Sequence, residues 1–93
     1  MARAIPVATG TADAQILTGS GTLLGFSCQE SAGTPAAAAF VLRDGTDNTG
    51  VPLAFVQLAQ GASQAAQLPA VTFTDGLYLD RTDGESEAVV YLL

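Results

Sequence analysis

Turn signals built on glycine, proline, Asp and Asn recur roughly every 8 to 15 residues along this chain, a rhythm that leaves room for strands and little for helices. They are Thr9-Gly10, Gly19-Ser20-Gly21, Ser31-Ala32-Gly33-Thr34-Pro35, Asp44-Gly45, Asn48-Thr49-Gly50, Gln60-Gly61, Asp75-Gly76 and Asp83-Gly84. Each supplies a positive φ or a pre-set bend. No segment between them sustains a 3.6-residue apolar period, whereas several alternate with period two.

Over residues 22–30, Leu24, Phe26 and Cys28 share one strand face. Phe40 and Leu42 lie inward before the Asp44-Gly45 turn. Over residues 53–58 either Leu53 and Phe55 or Ala54, Val56 and Leu58 point inward, and a bulge lets both sets do so. Val71 and Phe73, then Leu77 and Leu79, then Val89, Tyr91 and Leu93 complete the alternation. The predicted core is Leu24, Phe26, Phe40, Leu42, Phe55, Val71, Phe73, Leu79 and Val90 or Tyr91. Residues 36–39 favour helix by propensity, but Pro35 before them and Phe40-Val41 after them leave no length for one, so they read as strand. Residues 63–68 fit either one helical turn capped by Ser63 or a polar edge strand ended by Pro69. Some six or seven strands result, which gives an all-β fold class: a small antiparallel β-sandwich or jelly-roll-like domain. Asp44-Gly45, Asp75-Gly76 and Asp83-Gly84 are expected as tight hairpins.

The first residues differ in character. Ile5 and Val7 stand among small and polar neighbours, too sparse to anchor a strand, so residues 1–13 read as an extended N-terminal arm and residues 14–93 as the domain. With Pro6 holding the stretch extended, Arg3, Ile5, Pro6 and Val7 are the candidate partner interface.

A chain of 93 residues holds one domain and buries only a little over roughly 60% of its unfolded surface. Cys28 is the only cysteine and His is absent, so neither an internal disulfide nor a zinc, haem or iron–sulfur ligand set is expected. Only 13% of residues are charged while 48% are apolar, against about 25% charged in ordinary soluble domains. A monomer avoiding association carries interspersed charge, so part of this surface is expected to be covered by protein.

Net charge is −6, with Arg3, Arg43 and Arg81 the only cations. There is no basic footprint for nucleic acid and nothing to attract an anionic membrane. Neither a signal-like apolar run near Arg3 nor a membrane-length run elsewhere is visible, and a soluble product made in the cytoplasm is the expectation.

Without His or Lys, acid–base and nucleophilic chemistry reduces to carboxylates. The pairs Asp44/Asp47, Asp80/Asp83 and Glu85/Glu87 sit in or beside glycine turns, where solvated turn-forming acids are ordinary, so no catalytic residue and no enzyme is expected. The Asp44–Gly50 loop has the oxygen-rich composition of a calcium loop but lacks its one-three-five spacing and closing Glu. No metal and no cofactor is expected. Cys28 reads as a small buried hydrophobe. Carbohydrate binding would draw on aromatic platforms; Trp is absent, and of Tyr78 and Tyr91 the first falls on the outward side of its strand.

The series Leu24-Gly25-Phe26-Ser27, Glu30-Ser31-Ala32-Gly33, Phe40-Val41-Leu42-Arg43-Asp44-Gly45-Thr46, Gly50, residues 53–58, Gly61-Ala62-Ser63 and Asp75-Gly76-Leu77-Tyr78-Leu79-Asp80 resembles small virion proteins of tailed bacteriophages. These serve as capsid decoration or cement proteins or as head-fibre components. The resemblance spans residues 22–93. It implies a β-sandwich or jelly-roll, often a homotrimer, on the exterior of an icosahedral shell, with the major capsid protein and copies of itself as partners. The alternative is a receptor- or glycan-binding module of a head fibre or tail. Buried contact around Ile5 and Val7 would favour the first, an exposed tyrosine-lined groove the second.

Overall fold

Every turn signal falls at a strand end or between strands. The structure, a computed structural model describing residues 2–93, has eight strands and no helix among the described residues. They are β1 (Arg3–Gly10), β2 (Ala14–Thr18), β3 (Gly21–Glu30), β4 (Ala38–Asp44), β5 (Val51–Leu58), β6 (Ser63–Phe73), β7 (Gly76–Asp83) and β8 (Ser86–Leu92). The chain pairs with itself like one long hairpin: β4 with β5, β3 with β6, β2 with β7 and β1 with β8, all antiparallel. That hairpin is rolled, so β8 also pairs with β3 and β7 with β4. The outcome is two four-stranded sheets, ordered β1-β8-β3-β6 and β2-β7-β4-β5, which is the strand order of a jelly roll.

Only β4 to β5 connects within a sheet; the other joints cross the sandwich. Asp44-Gly45 therefore opens a true hairpin, while Asp75-Gly76 and Asp83-Gly84, expected as hairpins, are corners between sheets. Gly84 turns its corner at φ 65°, and a Cβ there would overlap the Ala37 carbonyl. Only glycine takes that conformation at no steric cost.

The core lies between the sheets. Val7, Leu23, Phe26, Phe73, Ala88, Val90 and Leu92 from one meet Phe40, Leu42, Val56, Leu58, Leu77 and Leu79 from the other. Phe26 and Phe40 cross the gap edge to face, ring centroids 6.4 Å apart at 72°. Such a pair contributes about 0.5–1.5 kcal/mol beyond its buried area. Phe26, Phe40, Leu42, Phe73, Leu79 and Val90 occupy the core as the alternation indicates, and Val71 is half-buried at its margin.

Further expectations are corrected. Residues 3–10 are not an arm: they form β1, whose Ile5 and Val7 face Val90 and Ala88 of β8 across the ladder, with Val7 in the core. Met1 lies outside the described residues. Leu24 is displaced by a bulge in β3, where Leu23 to Gly25 answers the single step from Leu92 to Tyr91 in β8; Leu23 goes in, and the parity resets so that Phe26 and Cys28 do too. Phe55 is 71% exposed, because Val41 opposite it in the ladder also faces away from the inward Phe40 and Leu42. In β8 the inward set is Ser86, Ala88, Val90 and Leu92, so Tyr91 points out. Of residues 36–39, only Ala38 and Ala39 join a strand, and residues 63–68 are the start of edge strand β6.

Candidate interaction surfaces

Two clamps tie the corners of the sandwich together. At one end the Asp44 carboxylate accepts the Thr74 and Asp75 N–H groups at 3.1 and 3.0 Å, and Gly45 N–H donates to the Gly76 carbonyl at 3.0 Å. Gln15 Nε2 donates to the carbonyls of Leu17, Gly45 and Leu77 at 2.8, 3.2 and 3.2 Å. Three corners thus converge there. The N–H donors, that of Asp75 first, hold the Asp44 carboxyl below its ordinary pKa.

At the other end the Arg81 guanidinium donates to the Ala12 carbonyl at 2.6 Å, the Ala8 and Ser86 carbonyls at 2.8 Å each, and Ser86 Oγ at 3.2 Å. Asp13 accepts from the Arg81 N–H at 2.8 Å and from the Tyr78 hydroxyl at 2.9 Å. Burial pushes the Arg81 pKa down, and Asp13 and Glu85 pull it back up. The hydrogen bond to Asp13 raises that of Tyr78. Glu30 fastens the same end, accepting from the N–H groups of Ala32 and Gly61 at 2.5 and 2.9 Å.

The carboxylate pairs singled out in the sequence are engaged separately. Asp44 serves the corner just described, while Asp47 accepts from the Thr49 N–H at 2.9 Å and from its hydroxyl, chiefly the hydroxyl lowering its pKa. Asp80 pairs with Arg43 Nε at 3.0 Å, and Glu87 accepts from Gln29 Nε2 at 2.9 Å. Among the described residues no three His, Cys, Asp or Glu gather as a metal site. Cys28 is buried, and desolvation raises its pKa, so its thiol is held in its unreactive form.

Of the four predicted interface residues, Val7 belongs to the chain's own core and Ile5 packs against it, while Arg3 and Pro6 are exposed on β1. Pro6 belongs to a larger feature, the outer face of the sheet β1-β8-β3-β6. Its cross-strand rows read Pro6, Val89, Ser27, Ala65 and, beside them, Ala4, Tyr91, Gly25, Gln67. The next row carries Glu87, Gln29 and Ser63. Within these rows Glu87 is the only charge. Tyr91 is 37% exposed, its hydroxyl 3.2 Å from Ser27 Oγ. It borders a shallow depression of about 490 Å³ lined by Leu24, Gly25, Ala65 and Gln67 among others. Gly25 lets β6 approach here, since a Cβ would overlap the Ala66 carbonyl.

The other sheet's outer face is different: Tyr78 neighbours Arg43, and Asp80 neighbours Val41 with Phe55 beyond it. Tyr78 and Tyr91 stand on opposite sheets and so line no common groove.

Comparison with protein-family models, with curated proteins and with solved structures finds no match to the chain.

Proposed function

We propose that the chain is a structural component of a phage-like virion, a decoration or cement protein on the outside of the capsid shell, with the major capsid protein and further copies of itself as partners. The observation that carries this reading is the charge-poor outer face of the sheet β1-β8-β3-β6. Its two rows through Val89 and Tyr91, with Pro6, Val89 and Tyr91 as apolar content, can be covered by a flat protein surface without stranding an unpaired charge, and Glu87, the one charge, lies in the row beyond them beside Gln29. Desolvating an unpaired charge is the costliest event at an interface. The face has the charge-poor make-up found at the centre of interfaces, with a tyrosine where such centres are enriched in aromatics. The corner clamps suit the same role, because a pre-organised domain loses little entropy on docking. The resemblance of residues 22–93 to small phage virion proteins supplies the setting.

The test is co-sedimentation of the purified protein with shells of its own phage that lack it. The parent should be retained, and Tyr91→Lys, which puts a cation at the centre of the face, should be retained at least about tenfold less, as for a lost interface anchor. Equal retention of the two would overturn the assignment of this face, and no retention of the parent would overturn the function.

A further inference from the structure

All twelve charged side chains, three Arg and nine Asp or Glu, lie outside residues 48–74. The fold turns that neutral run into one flank. Within it, β5 and β6 are the terminal strands of the two sheets, so each has one backbone edge with no ladder partner among the described residues over 8 and 11 residues respectively. Proteins ordinarily guard such edges with charge, proline or shortness. The flank opposite is guarded in that way: β2 has only 5 residues and β1 carries Arg3 and Pro6. On the β5 flank there is no charge, and Phe55 and Val51 are 71% and 68% exposed. Pro69 and Ala70, whose φ is 52°, break the β6 edge midway. Pro52 and the bulge at Leu53 stand at the start of β5 and leave residues 54–58 in unbroken register.

We infer that the β5 edge is the docking site for a second copy of this chain, joined antiparallel about a two-fold axis. Charge selects the occupant. Each copy carries −6, so two copies repel wherever their acidic corners meet and can approach without that penalty through the neutral flank. A basic partner would be drawn to the acidic corners instead. The edge is also self-complementary. An antiparallel strand offers its own copy the same row of N–H and C=O groups that it needs, and with the axis beside Phe55 the neighbouring Gln57, neutral and both donor and acceptor, meets the other copy without stranding a charge. The Phe55 rings, on the outer face, come together across the axis. The inference deepens the assembly reading and rests on it for its biological setting, while its physical content concerns the isolated chain.

Sedimentation velocity of the full-length protein over a wide concentration range tests it. The parent should sediment as a species heavier than the 9.4 kDa chain. Phe55→Glu and Gln57→Glu, both at exposed positions, should each return it to monomer with the parent's circular dichroism. Thr18→Glu, exposed on the far edge strand β2, should leave association intact. A parent that stays monomeric, an unchanged mass for either flank variant, or dissociation by Thr18→Glu would overturn the inference. Shell retention is scored separately: a self-associating protein that shells do not retain sinks the proposed function alone, and a monomer that shells retain sinks this inference alone.

Discussion

Arg81 shows how a chain with a single cysteine fixes its corners with one side chain. Its planar fork reaches acceptors on the β1–β2 corner and at the start of β8 together. An ammonium group has neither the reach nor the geometry for all of them. Arg81→Lys should therefore cost about 1–3 kcal/mol in urea-induced unfolding, the range for lost hydrogen bonds to a charged group. Asp44 does the equivalent work at the other end and adds a pH dependence. Its folded pKa lies below the ordinary value, so the folded state takes up the proton less readily than the unfolded chain does. The stabilisation is complete above the ordinary carboxylate value of about 3.9 and drains away as pH falls through the folded value. Asp44→Asn should lower stability at neutral pH and make its decline below about pH 4 shallower than the parent's. An acid limb identical to the parent's would mean that Asp44 does not carry that dependence.

At the scale of elements, the strands and their turns are legible in the sequence because glycine punctuation and alternation act locally. What is not legible arises from pairing partners remote in the chain. The bulge that swaps Leu24 for Leu23 depends on how β3 lies against β8, and within residues 22–30 only Gly25 hints at it, an isolated strand glycine that fits a bulge without fixing its register. Strand β1 escapes recognition because its inward content is only Ile5 and Val7, enough for a strand once β8 supplies a ladder but not enough to signal one alone. Phe55 misleads for the opposite reason: a large aromatic ring reads as core, although it stands on the outer face of an edge strand, a position set by the pairing of β5 with β4 alone. Because β1 is integral, deleting residues 2–10 should do more than remove a tether. It strips Val7 from the core and leaves the β8 edge unpaired. Losing a buried aliphatic side chain alone costs about 2–5 kcal/mol when cut to Ala, a large part of the stability of a domain this small. The truncated chain should show a lowered or absent cooperative melt by circular dichroism, and a melt equal to the parent's would show that β1 is dispensable.

On the scale of the whole molecule, charge and neutrality are segregated. Acidic residues gather at the corners, where Asp13, Glu30 and Asp44 accept backbone N–H groups, while one sheet face and one flank are almost free of charge. The face and the flank adjoin along β6, so a shell contact on the one and a self-contact on the other can be made together. Many copies each making both contacts would turn a weak single attachment into a strong collective one. Electron cryo-microscopy of the particles to which the proposed function assigns this chain, with peptide mass spectrometry of the same sample, tests the proposed virion role most directly. The expected result is the chain's peptides in the purified particles and density for an eight-stranded sandwich on the shell exterior, with the Tyr91 face toward the shell. Particles that contain neither the peptides nor the density would contradict it.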